Sequence, residues 1–330
     1  MRVFLTGGTG FIGQSITERL LKRGVETIAL VRNPENPTAK AIQEKGAQLI
    51  KGDITDPETM REAMKGADVV IHNAGWYEFG ITKKARRTME KINVEGTKNT
   101  LQLAIELGIP KIIYVSTILA FGDTGDVEAD ETFKRCVPYQ SNYEETKTIA
   151  HKIALNYQRE NAPVIIVCPA GVIGPGDYST MGHLVRMYIR GKFPPVLIGA
   201  TGSRAHVYVD DAAEAIVLSM EKGKLGESYL LSNGVMSHQD TFNLWKKTPG
   251  GSKKTLFSIP KSIAMLCCGA AEPIQRLFGY PAVFSRESTL AAYSNYRFKA
   301  TKAEQELGMN FRSLEQAWLD TLEGERALLK

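Results

Sequence analysis

The stretch Leu5-Thr6-Gly7-Gly8-Thr9-Gly10-Phe11-Ile12-Gly13 decides the fold. It follows an apolar run, Val3 to Thr6, with the character of a strand, and it opens an amphipathic segment, Gly13 to Arg23, with the character of a helix. Its glycines recur at GxxGxxG spacing. Gly7 permits a tight turn, Gly10 lets the backbone approach a pyrophosphate, and Gly13 lets helix and strand pack closely. Phosphates in such a loop meet the free N–H groups and positive dipole end of a helix, here the backbone from Thr9 through Phe11 and Ile12. A glycine pattern alone is weak evidence, but strand, helix and N-terminal position all agree with it, and together they predict a dinucleotide site.

Outward from this loop, short β-branched runs alternate with amphipathic segments. The runs are Thr27 to Val31, Gln48 to Lys51, Val69 to His72, Lys111 to Ser116 and Val164 to Pro169, and the segments between them include Pro57 to Met64 and Val94 to Leu107. That alternation predicts an α/β protein with a doubly wound parallel sheet covered by helices on both faces. After Gly174 the pattern breaks, with Pro175, Gly176, Gly191, Pro194, Pro195, Gly199 and Gly202 in quick succession. A smaller lobe is expected to start there. One further strand-to-helix unit, His206 to Val209 followed by Asp211 to Met220, interrupts it, with Asp210 or Asp211 placed to cap the helix. The expected organisation is therefore a nucleotide-binding domain over residues 1–173, rejoined by 206–232, and an interleaved substrate lobe over 174–205 and 233–330.

The chain has 330 residues, 43% of them hydrophobic, ample for a continuous core. Its net charge of +5 comes from 41 basic and 36 acidic residues along the whole sequence, which gives no reason to expect nucleic acid as a partner. The local cluster Lys83, Lys84, Arg86 and Arg87 reads as a solvated helix face. Cys136, Cys168, Cys267 and Cys268 lack the spacing of a disulfide framework or metal site, so no metal is expected and a reducing cytoplasm fits. Met1 leads directly into a strand-like run, which argues against a secretory leader. The longest apolar stretch, Ile263 to Ala271, falls short of the roughly 20 residues a membrane span needs. At most it lies on a membrane surface.

The end of the second run bears on which dinucleotide binds. A carboxylate there would hold the ribose hydroxyls of NAD and repel a 2′-phosphate. Here the sequence is Val31-Arg32-Asn33, and Arg32 can pair with that phosphate, with Lys40 as a second cation. NADP(H) is therefore expected over NAD(H). Asp53, in Lys51-Gly52-Asp53-Ile54, follows the third run, where it could accept the adenine amino group or cap the next helix.

Tyr143-Glu144-Glu145-Thr146-Lys147 begins a predicted helix, and the i, i+4 spacing puts phenol and ammonium on one face. A free tyrosine has a pKa near 10, and a neighbouring cation would lower it toward the working range of an acid–base catalyst. The pair alone is commonplace. Its place after the fifth run, which ends in Tyr114-Val115-Ser116-Thr117, gives it meaning, because doubly wound sheets bind ligands at the carboxyl ends of their strands. A Thr117 hydroxyl could hold a substrate oxygen against the tyrosine.

Taken together, Gly7 to Gly13, Asp53, Asn73-Ala74-Gly75, Asn93 within Ile92-Asn93-Val94-Glu95-Gly96-Thr97, the Ser116-Thr117 strand end, the YxxxK pair and Pro169-Ala170-Gly171-Val172-Ile173-Gly174-Pro175 resemble the extended short-chain dehydrogenases/reductases, built on a Rossmann sheet. The motifs stand in the right order over nearly the whole chain. Arg32, Val207-Tyr208-Val209-Asp210-Asp211 and Leu307-Gly308 are similar to the dihydroflavonol 4-reductase and 3β-hydroxysteroid dehydrogenase branch. The resemblance implies that Tyr143 is the acid–base, Lys147 its partner and ribose anchor, and Thr117 the oxygen donor, selected over Ser116 by Phe121-Gly122 four residues on. Asn93 would position a relay water or the backbone of the site. Ala74, Gly75 and the run Pro169 to Val172 would line the cofactor. Homodimers formed through 93–107 and 143–160 are a further implication.

Sugar-nucleotide dehydratases of this superfamily carry Asp-Glu directly after the threonine; Ile118 and Leu119 stand there instead, which disfavours dehydration. Epimerases need no such pair and stay open. Their substrates' diphosphate meets an arginine where Arg204 stands, although Arg204 could equally form a salt bridge between lobes. Trp76-Tyr77-Glu78-Phe79, after Gly75, offers Trp76, Tyr77 and Phe79 as an aromatic wall suited to an apolar small-molecule substrate, or as packing between lobes. A cofactor sensor without catalysis would be expected to lose the tyrosine. The expected activity is NADP(H)-dependent reduction of a carbonyl, with an epimerase as the alternative.

Overall fold

In the computed structural model, which describes residues 1–248, 257–278 and 282–330, every one of the six runs forms a strand. They are β1 (Arg2–Thr6), β2 (Glu26–Val31), β3 (Gln48–Lys51), β4 (Val69–His72), β5 (Ile112–Val115) and β6 (Val164–Pro169). The later strands are β7 (Gly171–Ile173), β8 (Val196–Leu197), β9 (Ser203–Tyr208), β10 (Ser228–Leu231), β11 (Gly234–Ser237) and β12 (Phe257–Ser258). The helices are α1 (Phe11–Lys22), α2 (Pro37–Glu44), α3 (Glu58–Met64), α4 (Lys83–Glu90), α5 (Gly96–Glu106), α6 (Asn142–Arg159), α7 (Thr180–Ile189), α8 (Val209–Lys222), α9 (His238–Lys247), α10 (Lys261–Leu277), α11 (Arg286–Ala292) and α12 (Leu314–Leu328).

Seven parallel strands pair in the order β10-β6-β5-β4-β1-β2-β3. The chain builds outward from β1 through β2 to β3, then returns to β4 on the other side of β1, with Leu5 opposite both Ala29 and Ile71. The reversal leaves a crevice above the carboxyl ends of β1 and β4, where doubly wound sheets bind ligands. Strands β4, β5 and β6 are buried along their whole length, which explains why they read as continuous apolar runs rather than alternating ones.

The second lobe differs from expectation in two respects. β7 and the part of β9 from His206 on, expected in the nucleotide-binding unit, lie in a separate three-stranded sheet in which β9 pairs with β7 on one side and β11 on the other; α8 and β10 rejoin the main sheet, α8 packing against α1. Nor does Asp210 or Asp211 cap α8. The helix starts at Val209, so both carboxylates fall in its first turn, where Asp210 accepts from Ser15 and Asp211 is gripped by Arg312 at 2.9 Å. A second apolar core under this lobe gathers Ile173, Tyr188, Phe242, Trp245 and Trp318.

Candidate active site

A cleft of about 1160 Å³ runs over the carboxyl ends of the strands and under the second lobe. At its floor the glycine loop is built as its spacing demands. Gly7 has φ +72°, a conformation that favours glycine, and a Cβ there would lie 2.7 Å from the Ala74 amide nitrogen. A Cβ on Gly13 would come within 1.9 Å of the Gly7 carbonyl oxygen, so helix and loop can touch only without side chains. Gly10 is the N-cap of α1 and no side chain caps it, which leaves the first amides of that helix open to the cleft beside Thr9, Phe11 and Ile12. Asn73 donates to the Gly7 carbonyl at 3.3 Å, and Ala74 and Gly75 continue the lining.

At one end Arg32 lines the cleft with Asn36 and Thr38. Lys40 is not brought there: it lies one turn along α2, turned to solvent, where it pairs with Glu35 at 2.6 Å. Asp53 and Ile54 line the cleft beyond β3, although one Asp53 oxygen is engaged by the Thr55 amide and hydroxyl, both at 2.9 Å.

Tyr143 enters from the first turn of α6, whose N-cap Ser141 accepts from the Glu144 amide at 3.1 Å. The buried Glu144 carboxylate meets Arg135 at 2.7 Å and fixes the start of the helix against the segment after β5. Thr117, the residue just before a short 3-10 turn, Ile118–Ala120, caps that turn by accepting from the Leu119 amide at 3.3 Å and lines the cleft with Tyr143. Ser116 also lines the cleft, and its hydroxyl is engaged by His151 at 2.9 Å. Lys147 lies one turn below Tyr143. Its ammonium donates to the Val115 carbonyl at 3.0 Å and sits 4.9 Å from the centre of the Tyr114 ring.

The electrostatics differ from the simple pairing that the spacing suggests. Burial pushes the Tyr143 phenol above its ordinary value, with Tyr77 and Tyr114 adding to the rise and only the nearby Thr117 hydroxyl opposing it. Burial pulls Lys147 down to about 8. The ammonium is directed at a carbonyl and a ring rather than at the phenol, so the lysine does not lower the tyrosine here. Tyr143 is held as a protonated acid.

A model of the NAD dependent epimerase/dehydratase family matches residues 3–232. The chain belongs to this family, within the extended short-chain dehydrogenases/reductases. It is 28% identical to a putative dihydroflavonol 4-reductase of Synechocystis sp., over 97% of this chain and 93% of that one. It is 29% identical to a 4-hydroxy-2-methyl-3-oxo-4-farnesyl-3,4-dihydroquinoline-1-oxide ketoreductase of Stigmatella aurantiaca, over 98% and 96% of the two chains. The crystal structure of gox2253 superimposes with a TM-score of 0.82 at 31% identity, covering 99% of this chain and 98% of that one.

Asn93, expected to position either a relay water or the backbone of the site, bonds backbone. It lies in a π-turn, Lys91–Glu95, and does not line the cleft; instead its carbonyl accepts from the Trp76 amide at 2.7 Å, and its amide donates to the Trp76 carbonyl at 2.9 Å and to Thr146 at 3.1 Å. Asn93 thus ties the aromatic loop to the helix of Tyr143. In that loop Tyr77 stands edge-on to Tyr143 at 4.7 Å and to Phe79 at 5.3 Å, while Trp76 bonds Glu78. Trp76, Tyr77 and Phe79 all line the cleft, as do the apolar Ile118 and Leu119 and the run Pro169 to Val172. Arg204 also lines it, bonded to the Ala291 carbonyl at 3.0 Å and stacked on Tyr296, with no carboxylate partner among the described residues. The second lobe adds His206, His238, Phe242, Trp245, Phe284 and Trp318, which no motif singled out; Phe242, Trp245 and Trp318 are signalled only by the apolar spacing of α9 and α12, and His206, His238 and Phe284 by nothing local.

Proposed function

We propose that the protein is an NADP(H)-dependent reductase of ketones or aldehydes whose substrate is predominantly apolar or aromatic. The carrying observation is that Thr117 and Tyr143 both line the cleft that also holds the glycine loop, with the Thr117 hydroxyl acting on the phenol and Ile118, Leu119 and Tyr77 around them. The residues fit a dinucleotide: the loop is one that a Cβ would fill and the α1 amides are uncapped, while Arg32, lining the same cleft, is the candidate partner for a 2′-phosphate. Bound there, NADPH supplies the hydride.

The chain's own residues supply the rest. Thr117 and Tyr143 hold the carbonyl oxygen and so polarise the carbon that is reduced. Tyr143, kept protonated by its surroundings, passes its proton to that oxygen as the alcohol forms. Lys147, whose ammonium lies at the Val115 carbonyl one turn below Tyr143, would hold the ribose hydroxyls of the cofactor. Asn93 is a positioning residue that acts through Trp76 and Thr146. The closed apolar wall excludes water from the reacting carbon.

Arg204, which lines the cleft without a carboxylate partner among the described residues, favours epimerisation of a nucleotide sugar as the second reading. Incubation with NADPH and a panel of aldehydes and ketones beside UDP- and GDP-sugars separates the two. Loss of NADPH absorbance with a carbonyl compound is expected, and sugar conversion without net cofactor consumption would refute it.

A further inference from the structure

The large side chains of α10 face outward. Ile263, Leu266, Ile274, Leu277 and Phe278 are 50%, 75%, 57%, 82% and 69% exposed, whereas the positions packed inward are the small Ala264 and Cys268. A helix that served only to cover the protein would show the reverse. With the exposed Ala270 between them, Ile263, Leu266, Ile274 and Leu277 recur at three- and four-residue intervals and form one continuous stripe, which Phe278 extends past the end of the helix.

The sequence on either side of this helix is basic. Between Lys246 and Arg286 the sequence has seven lysines and arginines against the single acid Glu272, a net of +6; the whole chain carries +5, so the remainder is −1. Glu272 is itself engaged by Arg276 and by the Arg286 amide. Lys261 stands at one end of the stripe, and Arg286 lies against Gly269 in its middle.

We propose that α10 docks the protein on an anionic lipid surface, lying in the headgroup region with its stripe toward the acyl chains. An exposed apolar face bordered by cations is the pattern of an interfacial helix. A second copy of the chain fits less well, because a helix of 17 residues is about 25 Å long and roughly 10 Å wide, a footprint of about 250 Å² against the roughly 800 Å² per partner of a stable interface. None of the helices among the described residues is long and apolar enough to cross a membrane, so the helix lies on the surface. It also frames the cleft: Gln275 exchanges hydrogen bonds with the backbone of Phe284, which lines the cleft, and Arg276 bonds the Gly80 carbonyl at the end of the aromatic loop. An apolar substrate dissolved in the bilayer would meet the protein at that wall.

Sedimentation with vesicles tests this without any turnover, so its outcome is independent of the activity proposed above. Phosphatidylcholine vesicles with and without one quarter phosphatidylglycerol are used at low and high salt, with the wild type and the Leu266→Ser/Leu277→Ser double variant. The wild type is expected to bind the anionic vesicles at low salt and at least tenfold less well without phosphatidylglycerol or at high salt. The variant, whose two positions are exposed and whose melting temperature should not move, is expected to lose at least tenfold in binding. Failure of the wild type to bind anionic vesicles, or equal binding by the variant, would overturn the proposal. So would a wild-type dimer in solution that the variant converts to monomer.

Discussion

Replacing Asn93 by Ala separates a positioning role from a chemical one. The side chain is 1% exposed and makes three hydrogen bonds, two of them to the amide and carbonyl of Trp76. Alanine leaves both Trp76 groups and the Thr146 hydroxyl short of a partner in a site too tight for easy hydration. At about 1 kcal/mol for each net bond, with more for each orphaned backbone group, the loss is about 3–5 kcal/mol. Unfolding entropy of about 2.1 cal/mol/K per residue gives roughly 0.7 kcal/mol/K for a chain of this length, so the melting temperature should fall by about 4–7 °C. The loop that carries Tyr77 over Tyr143 would loosen with it, raising KM and lowering kcat together. Thermal melting by circular dichroism and steady-state kinetics measure both effects. An unchanged melting temperature with turnover abolished would refute the reasoning, because it would make Asn93 part of a proton relay instead.

Three further outcomes are expected. Arg32→Ala should weaken NADPH about 10- to 100-fold in a fluorescence titration, the worth of one charge-assisted contact with Lys40 paired elsewhere, while NADH affinity stays put; equal losses would exclude a phosphate contact. Carbonyl reduction should fall as pH rises through about 8, because the Lys147 ammonium persists below its lowered pKa and is lost above it, whereas Tyr143 stays protonated; a profile flat to pH 10 would contradict this. Stability should fall as pH drops below about 6.5. Burial holds His72 at about 3 and His151 and His238 at about 4, so below their unfolded pKa the unfolded chain binds more protons than the folded one, and a melting temperature constant from pH 7 to 5 would show that they are not held neutral.

The doubly wound sheet was legible because its strands are buried on both faces and leave uninterrupted apolar runs, and because the glycine loop needs its residue types at fixed spacing. The floor of the cleft was legible for the same reason. The wall was not: His206, Trp245 and Trp318 come from three separate elements of the second lobe, and local sequence does not record which distant elements meet. Asp210 and Asp211 were misplaced because the last residue of β9 runs straight into α8, so no intervening loop marks the cap. The i, i+4 rule put Lys147 on the face of Tyr143 but could not foresee the Val115 carbonyl that claims its ammonium. Charge counted over the whole chain likewise concealed the basic stretch around α10.

The central claim, proton transfer from Tyr143 in the reduction of a carbonyl, is tested most directly by single-turnover kinetics of Tyr143→Phe with bound NADPH and a ketone from the panel. Removal of a general acid should slow the hydride step by about 10²–10⁴-fold, with NADPH affinity within twofold of wild type. A hydride step of undiminished rate in this variant would contradict the account.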